Sequence, residues 1–65
     1  MGLDELIERL RLVSEQHRDL DAAIGALLLE PGHDQVQLAR LKKRKLRLRD
    51  EIVNLRDLIQ PDIIA

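Results

Sequence analysis

The sequence predicts an all-α protein, an antiparallel two-helix hairpin of coiled-coil type. Three observations lead there: two aliphatic stripes at helical spacing, one Pro-Gly break between them, and no residue type suited to another kind of core. From Leu3, alternating steps of three and four reach Leu6, Leu10, Val13, His17, Leu20, Ile24 and Leu27. The same steps from Leu38 reach Leu41, Lys45, Leu48, Ile52, Leu55 and Ile59. Only His17 and Lys45 interrupt these stripes, and no strand alternation produces such a series.

The first helix is expected over about 3–29. It stops at Glu30-Pro31-Gly32-His33, because proline disfavours αR at the residue before it and glycine accepts positive φ. His33 is expected as an exposed loop residue. Asp34 is the expected N-cap of the second helix, with Gln37 completing a capping box. That helix is expected over about 35–60, ended by Pro61, with a short tail over 61–65. So short a connection, 30–33, makes the helices antiparallel neighbours in one domain, 1–65. The register sets Leu27 against Leu38, Ile24 against Leu41, Leu20 against Lys45 and His17 against Leu48. Val13 then faces Ile52, and Leu10 faces Leu55. Each helix should be about 40 Å long at 1.5 Å per residue.

Composition narrows the function. The 65 residues include no cysteine and no aromatic, so disulfides, base stacking and aromatic anchors are all excluded. A reducing, cytoplasmic setting is expected, with no signal peptide, no membrane span and no lipidation signal. The net charge is −1, but the signs separate. Residues 1–30 hold seven acids and three bases, and residues 34–60 hold four acids and eight bases. The two segments are expected to attract each other side by side and to disfavour mispairing with copies of themselves. Ser14 is the one hydroxyl-bearing residue, with no base placed to activate it. No catalytic residue, metal site or cofactor is expected.

Three groups of residues remain as candidate sites. His17, Asp21 and Lys45 form a polar cluster in the seam, with Asp21 placed to accept from both of the others. Such a layer sets register, and its other reading is a ligand or proton-responsive site. Arg40, Lys42, Lys43, Arg44, Arg47 and Arg49, with Lys45 among them, form an acid-free basic run. It is read as a solvated face, or as a dock for an acidic protein, an anionic lipid or nucleic acid. Ile7, Leu28, Ala39 and Leu58 flank the stripes; Leu12, Leu29, Leu46 and Val53 add apolar surface that two helices cannot cover. With Ala22, Gly25 and Ala26 on an outward strip, the last four make a candidate self-association face. A homo-oligomer is expected, a dimer first, as a four-helix bundle. The tail isoleucines Ile63 and Ile64 have several readings: packing back, serving as a peptide ligand, or marking the chain for proteolysis.

His17-Arg18-Asp19-Leu20-Asp21-Ala22-Ala23-Ile24 and the segment Leu38-Ala39-Arg40-Leu41-Lys42-Lys43-Arg44-Lys45-Leu46-Arg47-Leu48-Arg49-Asp50-Glu51-Ile52 resemble the YdcH-like family of small bacterial proteins. Its pattern is similar to H-x-x-L-D-x-x-I, a short gap with Pro or Gly, then L-K-K-x-K-L-x-L-K-D-E-I. The resemblance covers roughly residues 6–58, with Arg47 and Arg49 where the family mixes residue types. It implies a bacterial, cytoplasmic helical hairpin and brings no assigned activity. The expected role is a non-enzymatic, self-associating interaction module. The alternative is a nucleic-acid or ribosome-associated adaptor using residues 40–49. Small helical-hairpin proteins of the large ribosomal subunit are similar in length and shape but strongly basic, which this chain is not.

Overall fold

A computed structural model describes residues 2–60 of the chain. They form two helices, α1 (Leu3–Leu28) and α2 (Gln35–Ile59), which pack as an antiparallel hairpin. The molecule is 48 Å long and 15 Å across its thinnest dimension. The expected tail over 61–65, with Ile63 and Ile64, lies outside the described residues.

α1 starts from Gly2 in extended conformation, without a side-chain cap, and Asp4 and Glu5 in its first turn oppose the positive end of the helix dipole. It ends one residue earlier than expected. Leu29 and Glu30 donate their N–H groups to the carbonyls of Ala26 and Leu27, a tightened last turn, and Gly32 then takes a positive φ of 69°. Asp34 caps α2 as expected, its Oδ1 accepting from Val36 N at 2.9 Å. The capping box does not form, because Gln37 makes no return bond among the described residues. His33 is also not the free loop residue expected. It is half-buried, donates from Nδ1 to the Glu30 carbonyl at 3.1 Å, and accepts at Nε2 from Gln35. The ring therefore closes the turn by pairing with a carbonyl of the turn itself, two residues beyond the end of α1. α2 ends at Ile59, with Gln60 N–H donating to the Arg56 carbonyl.

The seam lies where the two stripes run. Val13, Ile24, Leu38 and Leu55 are buried, and the other stripe positions are partly covered, except Leu3, which is exposed at the open end. One cross-helix ion pair, Arg9 to Glu51, tests the register independently. Stepping outward from the seam by the same distance on each helix pairs Arg9 with Glu51, Gln16 with Arg44 and Ala23 with Gln37. The Arg9 guanidinium donates to Glu51 Oε1 at 2.7 and 2.9 Å. Gln16, Ala23 and Arg44 line one groove on that side. On the opposite side the register pairs Ser14 with Arg56 and Asp21 with Arg49, and these four line another groove.

Attraction between an acidic α1 and a basic α2 is weaker than the charges alone suggest. Antiparallel pairing sets the acid-rich start of α1 against residues 50–59, which carry three acids of their own. Basic residues 40–49 face residues 16–25, where Asp19 and Asp21 are the acids. Only two cross-helix ion pairs form among the described residues, Arg9–Glu51 and Lys45–Asp21. The seam therefore carries the fold, and exposed pairs add little.

This register has a direct check. With Ile24→Cys and Leu41→Cys together, oxidation should link the two positions rapidly within one chain, since facing seam positions lie close enough for a disulfide. Ile24→Cys with Leu55→Cys should stay unlinked. Equal intramolecular linking of both pairs, read by mass spectrometry, would show the register to be wrong.

Candidate interaction surface

The heptad spacing of α1 brings His17 and Asp21 to one edge of the seam, one turn apart, and α2 delivers Lys45 between them. Lys45 Nζ donates to Asp21 Oδ1 across the helices. His17 is half-buried and lines grooves with both partners, but it makes no hydrogen bond to Asp21. So the cluster assembles, while the expected double bridge at Asp21 reduces to one bond. Asp21 is exposed and reaches across to Lys45 on α2, while His17 stays beside it along the same groove. The Lys45 hydrogen bond, and then the Lys45 charge, hold the Asp21 carboxyl below its ordinary value, with a smaller contribution from the charge of His17. Both members of the pair remain open to solvent. No group of acids and histidines among the described residues could hold a metal ion.

A second ionic network lies wholly on α1. Arg11 donates to Glu8 at 2.7 and 3.3 Å and to Glu15 at 3.2 Å. The hydrogen bond from Arg11, and its charge, lower the Glu8 carboxyl, and Arg11 is correspondingly held more firmly protonated. These are i,i+3 and i,i+4 contacts that support the helix along its outer edge. Together with Arg9–Glu51 and the His33 ring, they are the polar features that sequence reasoning missed. Heptad spacing carried the signal for Arg9–Glu51, because both residues flank their stripes on the same side.

The basic residues encircle α2. Lys42 and Arg49 lie beside His17, Lys45 and Leu46 along a shallow groove of about 290 Å³. Arg44 lies on the opposite side, with Gln16, Asp19 and Leu20. Arg40, Lys43 and Arg47 are exposed, and none of the six makes an ion pair among the described residues.

The candidate association residues are all exposed, yet they do not form one face. Leu46 sits with Lys42 and Arg49 on the Asp21 side, and Val53 follows it by seven residues. Leu12 sits with Glu5, Glu8 and Arg9 on the other side. Ala22, Gly25, Ala26 and Leu29 point outward from α1, and a methyl group added at Gly25 would meet nothing within 4 Å. No close packing inside the hairpin therefore requires that glycine. The hairpin divides what a helical strip predicts as continuous, because a second helix occupies the space between the two flanks.

The Asp21 pair has a pH signature. A carboxyl whose folded pKa is lowered adds stability above its unfolded pKa, near 3.8, and loses that stability as pH falls through the folded value. Asp21→Asn should therefore lower the urea midpoint at pH 7, and Asp19→Asn should do so less. The gap between wild type and Asp21→Asn should close as pH drops below the ordinary carboxylate range. Equal midpoints for both variants at pH 7 would mean that the Lys45 bond contributes nothing.

No helix among the described residues is long and apolar enough to cross a membrane. Searches of curated proteins and of solved structures returned no match. A family model described as "Protein of unknown function (DUF465)" matches residues 10–56, which span both stripes, the turn and the basic run. The chain therefore belongs to this family of proteins of unknown function, to which the YdcH-like proteins also belong.

Proposed function

We propose that this chain is a non-enzymatic cytoplasmic interaction module that associates with itself through the apolar flanks of the hairpin. One observation carries the reading. Among the described residues four side chains are buried, Val13, Ile24, Leu38 and Leu55, while nine large aliphatic residues are exposed, Leu29 at 85% and Leu58 at 63% among them. A core of that size gives a chain of this length little surplus stability, and no disulfide is available to supplement it. Covering part of the exposed set against a second copy adds buried apolar surface at about 25 cal/mol per Å². Sedimentation at micromolar concentration should give at least twice the 7.5 kDa chain mass. A folded, stable monomer across the accessible concentration range would overturn the reading.

The second reading, a nucleic-acid adaptor built on residues 40–49, is favoured by the six unpaired cations of that segment. With no aromatic to stack bases, such binding is electrostatic, and its log–log salt slope on single strands should be about −0.7 per neutralised phosphate. Four or five engaged cations give a total of about −3 to −3.5. Lys42→Glu, Lys43→Glu and Arg47→Glu together should abolish it with helicity retained. Absence of salt-sensitive binding to RNA or DNA at low ionic strength removes this reading and leaves the basic segment to an acidic protein or to solvent.

A further inference from the structure

The residues that the sequence groups as one association face divide between two surfaces of the hairpin, and these carry opposite charge. The first follows a row on α2. Seven-residue steps, each about 10.5 Å long, run from Lys42 to Arg49 and Arg56. The seam register sets these three against Leu28, Asp21 and Ser14 of α1. Asp21 is the one acid they meet there, and its carboxylate is bonded to Lys45. Arg18 joins them from α1, and none of the four cations makes an ion pair among the described residues. Two shallow grooves that share His17 and Arg49 follow this row, with Ile24 and Leu46 lining one and Ile52 the other. Leu46 is 55% exposed, and Val53, seven residues further on, is 49% exposed. This side is an aliphatic strip edged by cations that the hairpin itself leaves unneutralised.

The second surface is the outer edge of α1. Alternating steps of three and four from Glu5 pass through the acids Glu8, Glu15 and Asp19 and the apolar residues Leu12, Ala22, Ala26 and Leu29, all of them exposed. No base stands in that series. Arg11 beside it bonds Glu8 and Glu15, one base for two acids, while Glu5 and Asp19 make no ion pair among the described residues. Glu8 and Glu15 stand seven residues apart, as do Lys42 and Arg49, so acids on one surface repeat at the pitch of cations on the other. The small side chains of Ala22 and Ala26 let another helix approach closely. The edge and the groove face different directions, so one hairpin cannot join its own two surfaces.

We propose that the outer edge of α1 in one copy packs along the cationic groove of the next copy, as a third helix laid against its hairpin. The proposal rests on the self-association reading and adds which surfaces meet. Charge selects this pairing. Groove on groove sets Lys42, Arg49 and Arg56 against their own copies, and edge on edge sets acid on acid; only the unlike contact attracts. Leu12 and Leu29 of the edge, against Leu46 and Val53 of the groove, supply the apolar area. Because the two surfaces differ, the contact is heterologous, and each copy keeps one of each open until a ring closes or a chain extends.

The experiment compares the full chain with two variants by sedimentation, each checked for helicity by circular dichroism. The groove variant carries Lys42→Glu, Arg49→Glu and Arg56→Glu; the edge variant carries Leu12→Gln, Glu15→Gln and Asp19→Asn. If the triple reversal loses helicity, Lys42→Gln with Arg49→Gln replaces it as the groove variant. Wild type should assemble past the dimer as concentration rises. Each variant alone should associate more weakly by about tenfold or more. An equimolar mixture of the two should form a one-to-one heterodimer, about twice the 7.5 kDa chain mass, and grow no further. Each such pair has one intact edge and one intact groove, which make a single junction. Wild type that stops at a dimer, a variant that assembles as wild type does, or a mixture that stays monomeric overturns the pairing and leaves self-association standing. A monomeric wild type removes both, and salt-sensitive RNA binding lost in the groove variant then gives the groove to nucleic acid.

Discussion

Two helices can bury only the stripe that each presents to the other, and the remaining properties of this chain follow from that limit. The stripes here are well made: of fifteen positions at three-four spacing, thirteen are aliphatic. Yet a two-layer object has no interior away from its single contact plane. Water is excluded from Val13, Ile24, Leu38 and Leu55, on either side of the half-covered layers of His17 and Lys45, and the rest of the seam is half-covered apart from exposed Leu3. Without aromatics there is no large side chain to widen the plane, and without cysteine no covalent closure replaces it.

The polar seam residues show how shallow that interior is. In a deep core His17 and Lys45 would demand full pairing, since an unpartnered buried donor is costly. Here Lys45 reaches Asp21 at the surface, and no buried side-chain nitrogen or oxygen lacks a partner among the described residues. The layer marks register at little cost, consistent with the same register being read on the other flank by Arg9 and Glu51. Both flanks obey the spacing dictated by the seam, so electrostatics follows packing in this fold.

Charge then acts at a second level. The separation visible along the sequence suggests two helices holding each other by opposite sign. Folding the chain back on itself changes its meaning, because residues 50–59 return beside residues 3–15 and bring acids to acids. The dominant separation becomes one between the ends of the molecule and not one between its helices.

The sequence by itself determined the helices, their ends to within a residue, the antiparallel pairing, the seam and the positive-φ glycine of the turn. These depend on short-range periodicity and on backbone sterics at Pro31 and Gly32, both written locally. Tertiary structure decided what depends on distance between the helices. It placed Asp21 on Lys45 without a bond to His17, drew the His33 ring onto the Glu30 carbonyl, and left Gln37 without its expected capping role. It also split the exposed aliphatic residues between two flanks and an outer edge. A one-dimensional pattern shows which residues share a helix face; only the position of the second helix determines which of those faces remain joined.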